Sequence, residues 1–168
     1  MDDIRAAIVN TSRRLGISPL DLATVMSYET AGTFDPWKRG PTTKWGTHRG
    51  LIQWGEPQAR RYGVSEDMPV GAQVGAVGQY LVDHGVQPGH GLLEIYSAVN
   101  AGGVGDKYYG RSDAHAGGAP GSVRDKVNNQ MGGHRRNAER LLGDAALAPG
   151  SPAPPLSPPV SIDGPVFG

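Results

Sequence analysis

Apolar residues recur at helical spacing in five stretches of this chain, with glycine and proline marking the gaps between them. In residues 2–15, Ile4, Ile8 and Leu15 lie near a helical period while Arg5, Arg13 and Arg14 fall off it, which predicts a short amphipathic helix ending at Gly16. Ser18, Pro19 and Asp21 then supply a capping hydroxyl, a first-turn proline and a first-turn acid. The helix they open runs to about Thr30 and stops at Gly32. Leu22, Val25, Met26 and Glu29 are three and four residues apart, so they share one face and Glu29 stands at the end of an apolar stripe.

From Gly32 to Gly63 no period holds. Trp37, Trp45, Gly40–Pro41 and Gly46 predict an ordered loop or a short hairpin there. Pro69 opens a core helix carrying Val70, Val74, Val77 and Leu81, closed by Gly85. Another begins near Gly91, carries Leu92, Ile95, Tyr96 and Val99, and ends at Asn100–Gly103. Ser122 with Asp125 forms a capping-box pattern ahead of one continuous stripe, Val123, Val127, Met131, His134, Ala138 and Leu141, to Gly143. The expected fold class is therefore mainly α, one domain over 1–143. Beyond it, 144–168 is rich in proline and is expected to be an extended tail or linker.

Apolar residues make up only 38% of the chain, and 26 glycines and 14 prolines accompany them, so a sizeable part must be loop. Sixteen basic and sixteen acidic residues balance, which removes the positive field expected of a nucleic-acid binder. Absence of cysteine rules out disulfides and thiolate metal sites. His48, His84, His90, His115 and His134 show no metal-ligand spacing, so no metal or cofactor is expected. The first thirty residues hold Asp2, Asp3, Arg5, Arg13 and Arg14 with no continuous apolar run. Neither a signal peptide nor a membrane span is expected, and the chain is made in a cytoplasm.

Candidate chemistry centres on Glu29. A carboxylate ending an apolar stripe is partly desolvated, which raises its pKa towards the range useful for proton donation. The plainer reading is a helix-end Glu turned to solvent. Phe34, Pro36, Trp37 and Trp45, followed by Gly50-Leu51-Ile52-Gln53-Trp54, offer rings and amides of the kind that line a sugar-binding cleft.

Glu29-Thr30, Phe34-Asp35-Pro36, Gly50-Leu51-Ile52-Gln53 and Asn100-Ala101-Gly102, in that order, resemble the motif series of lysozyme-like lytic transglycosylases and goose-type lysozymes. The resemblance implies a lysozyme-like domain acting on peptidoglycan glycan strands, with Glu29 as general acid and base. It implies glycan contacts from Gln53 and Asn100, and Trp45 and Tyr108 are candidate stacking rings. The family's tyrosine before the asparagine is Val99 here, which leaves Tyr96, one turn back, as its replacement.

Transglycosylation needs no second carboxylate, because the substrate's own 6-hydroxyl attacks. Hydrolysis usually recruits one, for which Asp35 and Glu56 are the candidates. Lytic transglycosylation is the preferred expectation. The alternatives are a muramidase of the same fold and a non-catalytic phage tail or wall-binding module. A wall enzyme without a signal peptide further implies a bacteriophage lysin or virion component, with other tail proteins as partners of the C-terminal arm.

Overall fold

Helix α2 (Pro19–Glu29) is the centre of the packing. In the computed structural model, which describes residues 2–114 and 118–147, it contacts α1 (Asp2–Leu15), α5 (Leu92–Ala101) and α8 (Gly132–Leu142). Its start follows the expected chemistry, since Ser18 Oγ accepts the Leu20 and Asp21 amides at 3.1 and 3.3 Å. The stripe of Leu22, Val25 and Met26 is fully buried, and Leu20, Ala23, Thr24 and Ser27 are buried behind it. Two of these polar side chains are satisfied inside: Thr24 Oγ1 donates to the Leu20 carbonyl at 2.7 Å, and Ser27 Oγ meets His134 Nδ1 at 2.9 Å. His134 is thereby a bonded, partly buried residue of α8, in keeping with its position on the apolar stripe.

Against the far side of α1 lies α4 (Val70–Asp83), with Val74, Val77 and Leu81 wholly buried. Gly78 permits the close approach, because a side chain there would run into Thr11 and Leu15. Two residues on, at the C-terminal part of α4, an aromatic cluster forms. Tyr80 sits edge-on to Trp54 at 5.8 Å and stacks on His84 at 3.9 Å, while its hydroxyl donates to the Ala98 carbonyl of α5 at 2.7 Å.

The aperiodic stretch contains the expected hairpin, β1 (Arg39–Thr43) paired antiparallel with β2 (Gly46–Arg49). Pairing of Arg39 with Arg49 and of Thr42 with Thr47 leaves one extra residue on β1. That bulge falls at Gly40–Pro41, where proline has no amide to give to a ladder. A short helix α3 (Glu56–Arg61) follows, and another, α6 (Asp106–Tyr109), comes after α5.

One expectation is corrected near the C-terminal end. The single helix predicted from Ser122 to Gly143 is two, α7 (Val123–Asn129) and α8, broken at Gln130–Met131. The capping box forms as expected, with Ser122 Oγ accepting the Asp125 amide at 3.1 Å. The break has a local cause, since Asn128–Asn129 and Gly132–Gly133 are weak helix formers and Gln130 turns its side chain away to donate to the Pro120 carbonyl at 3.0 Å. Past Gly143 the chain continues into a 3-10 turn (Gly143–Leu147) whose Ala145 and Ala146 pack on the core. His115 and residues 148–168, most of the expected tail, lie outside the described residues.

Candidate active site

Glu29 is the last residue of α2, and the chain turns sharply after it. Thr30 Oγ1 donates to the Met26 carbonyl at 2.8 Å and accepts the Phe34 amide at 2.9 Å. Ala31, Gly32 and Phe34 all take positive φ in the turn. This places the carboxyl at the negative end of the helix dipole, where a charge of the same sign is disfavoured.

The carboxyl lies in an open cleft of about 330 Å³. One wall is the hairpin and the loop after it, contributing Thr43, Trp45, His48, Ile52 and Gln53; the opposite wall is α5, with Tyr96, Val99 and Asn100. Tyr28 flanks Glu29, Tyr80 and Gln58 close one end, and Asp113, Gly118, Ala119 and Lys126 close the other. Five of the six sequence-derived candidates, Glu29, Gln53, Tyr96, Asn100 and Trp45, therefore share one cavity.

Tyr108 does not join them. Its ring packs over Gly103, which has no side chain to displace it, and Arg111 covers the ring at 4.6 Å. The proposed second carboxylates are also elsewhere. Asp35 Oδ1 accepts the Trp37 amide at 3.0 Å as a turn residue, and Glu56 pairs with Arg49 and Arg60 at 3.6 and 3.8 Å. The carboxylate that does share the cleft with Glu29 is Asp113.

Burial first, and the Asp113 charge after it, push the Glu29 carboxyl up to about 8 against the opposing Lys126 ammonium. Near neutral pH the group carries a proton. Asp113 and Lys126 form an ion pair of 2.5 Å, with the lysine side chain only 2% exposed. The other oxygen of Asp113 accepts from Asn100 Nδ2 at 2.9 Å, so Asn100 serves this network rather than capping its helix. Gly102, at φ +81°, makes the cap instead.

Tyr96 and Tyr28 meet edge to face at 5.4 Å with their hydroxyls in hydrogen-bond reach, and Tyr28 donates on to Gln130 at 3.0 Å. Burial and the nearby Glu29 both hold the Tyr96 phenol protonated. It occupies the side of the cleft where Val99 offers no hydroxyl. On the hairpin side, Gln53 at φ +60° donates to the Lys38 and Gly50 carbonyls at 2.9 and 3.1 Å, and its oxygen sits over Gly40, where a side chain would leave it no room. Its amide thus holds the bulge and loop together. His48 extends the tie: Nδ1 donates to the Gln53 carbonyl at 3.0 Å and Nε2 meets the Thr43 hydroxyl at 2.7 Å. Behind the loop Gln73 accepts from the Leu51 amide at 2.8 Å and from Trp54 Nε1 at 3.3 Å, and donates to the Pro36 carbonyl at 2.8 Å.

Sequence reasoning missed Asp113, Lys126, His48 and Gln58. Lys126 left one trace, its place three residues after Val123 on the same face of α7; Asp113 left none. Among the described residues, no three His, Asp or Glu side chains come together as metal ligands, and no helix is long and apolar enough to cross a membrane. No protein-family model matches the chain, and no curated protein or solved structure matches it.

Proposed function

We propose that this chain is a peptidoglycan-degrading enzyme of lysozyme-like fold that cleaves the MurNAc–GlcNAc β-1,4 bond by lytic transglycosylation. The observation that carries the reading is a carboxyl pushed up to about 8 and facing an open cleft lined with amides and aromatic rings. Such a group holds a proton at neutral pH and sits where a polymer strand can enter. In the proposed reaction Glu29 gives that proton to the glycosidic oxygen as the bond to the anomeric carbon breaks. The 6-hydroxyl of the same sugar then attacks that carbon and returns its proton to Glu29, leaving a 1,6-anhydro end. Trp45 at the hairpin tip offers a ring face to a sugar. Tyr96 supplies a hydroxyl beside the acid in place of the one missing at Val99.

A second reading, hydrolysis by a muramidase, is favoured by one observation: Asp113 brings a second carboxylate into the cleft. Mass analysis of fragments from purified sacculi separates the two, since transglycosylation leaves 1,6-anhydro ends and hydrolysis leaves reducing ends. Intact sacculi after prolonged incubation would leave only the binding-module reading. Carriage to the wall by a phage particle belongs to the same proposal and rests on the sequence resemblance alone.

A further inference from the structure

Lys126 stands where a lysine is rarely found, 2% exposed on the wall of a cleft. Its Nζ is fixed 2.5 Å from Asp113 Oδ1, and Asn100 Nδ2 holds the remaining oxygen at 2.9 Å. Two side chains, one thirteen residues before it and one thirteen after, thus pin one carboxylate in one orientation. For packing alone such a pair is dispensable, because apolar side chains of similar volume generally serve a fold as well. This pair instead lines the same cavity as Glu29. Among the described residues, Glu29, Asp113 and Lys126 are the charged side chains lining the cavity; the other titratable groups facing it are His48 from the hairpin, Tyr28 from α2, Tyr80 from α4 and Tyr96 from α5.

We propose that Asp113 and Lys126 are a fixed charge couple that sets the acidity of Glu29, with Asp113 keeping the proton on and Lys126 limiting how tightly it is kept. Both are positioning residues, acting through Glu29 and not on the glycan. The inference rests on the proposed role of Glu29 as acid and base. That role requires a group that both loses and regains a proton within one turnover. A half-buried carboxyl at a helix C-terminus beside an unopposed Asp113 would hold its proton more firmly and release it less readily. Without Asp113, the lysine would weaken the hold on the proton that burial still favours. Burial is the largest influence at Glu29, and on top of it Asp113 acts more strongly than Lys126 and in the opposite direction.

The test reads Glu29 directly, by carboxyl carbon NMR of the full chain labelled at its glutamates, with Glu29→Gln identifying the signal. Lys126→Met should move the Glu29 titration up by about one pH unit, a tenfold change in proton affinity. Asp113→Asn should move it down, and the double variant should titrate above Asp113→Asn alone. If Lys126→Met does not fold, the comparison of Asp113→Asn with the double variant decides. Titrations that stay in place, or that move the same way in both single variants, overturn the proposal. On sacculi, the alkaline limb of kcat/KM should follow the NMR shifts; activity lost with no movement of that limb would mark the pair as structural. Should the titrations move as stated while wild-type protein leaves sacculi intact, the couple stands and the enzymatic reading falls.

Discussion

Replacing Glu29 with Gln should remove activity and at the same time stabilise the protein, by an amount that depends on pH. The native state keeps a proton on Glu29 up to about pH 8, whereas the unfolded chain releases it near 4.5. Stability from this group is therefore complete below pH 4.5 and is lost as pH rises through about 8. The span between those values corresponds to about 5 kcal/mol at ~1.36 kcal/mol per pH unit. That is a ceiling, because Glu29 keeps contact with solvent and the open cleft lets water relax around its charge. We expect about 2–4 kcal/mol in practice. Gln has nearly the same shape and no charge to desolvate, so the variant lacks the loss altogether. Urea unfolding followed by circular dichroism should give nearly equal stabilities at pH 4.5. By pH 9 the variant should be ahead by about 2–4 kcal/mol, roughly 5–15 °C in Tm for a domain of this size. Titrating groups that do not interact with Glu29 are common to both proteins and drop out of the difference. A stability gap that is the same at both pH values, or a variant less stable at pH 9, would refute the claim that Glu29 is held protonated by its surroundings.

Gln73→Leu should cost about 3–5 kcal/mol, since it strips partners from the Leu51 amide, Trp54 Nε1 and the Pro36 carbonyl, each at the lower part of the ~1–3 kcal/mol range for a buried orphan. Chemical denaturation monitored by tryptophan emission measures it, and a loss below about 1 kcal/mol would mean that the loop is held by other contacts. His84, stacked on Tyr80 with Nε2 buried and unbonded, has its pKa lowered by burial below the ordinary 6.5. Its contribution is full above pH 6.5 and declines as pH falls, so His84→Phe should flatten the acid-side loss. His134, lowered in the same way, leaves part of the slope in place; equal slopes between pH 7 and 5 in the two proteins would exclude His84 as a source.

What could be read from sequence was what neighbours along the chain decide. Ser18 caps α2 and Ser122 caps α7 through amides two or three residues away, so their chemistry is local and legible. The end of α2 was legible in part: its stripe placed Glu29 at the end of the apolar face but left a solvent-turned Glu as the plainer reading, and in the structure the residue is half-buried in the cleft. The break between α7 and α8 was not legible, because the apolar residues keep their period across Gln130. What ends the helix is a pair of asparagines, a pair of glycines and a side chain captured by Pro120. Gln53 was legible as a site residue, but its role was not. A donor aimed at Lys38 and a Gly40 that admits the amide oxygen are features of the folded hairpin. Asp113 lies in a polar, glycine-rich stretch without a period, so nothing near it in sequence points to a cleft thirteen residues from its lysine and far from Glu29.

That last case bears on how the site is assembled. Glu29, Gln53, Asn100, Asp113 and Lys126 belong to five segments, and no two of them are held together by a shared helix. Four of them are fixed by a polar contact that crosses segments: Gln53 to Lys38, Asn100 to Asp113, Asp113 to Lys126. Two of the groups, the protonated carboxyl and the buried ammonium, are arrangements that packing alone disfavours. Wholly buried apolar residues on α2, α4 and α5 surround them and supply the stability that offsets this strain. A scaffold retained only to bind a polymer at its surface gains nothing from confining an acid in this way. Between enzyme and binding module, the structure-based argument for the enzyme is therefore the stability given up at Glu29. The pH-dependent gain in the Gln variant measures that same quantity without requiring a substrate.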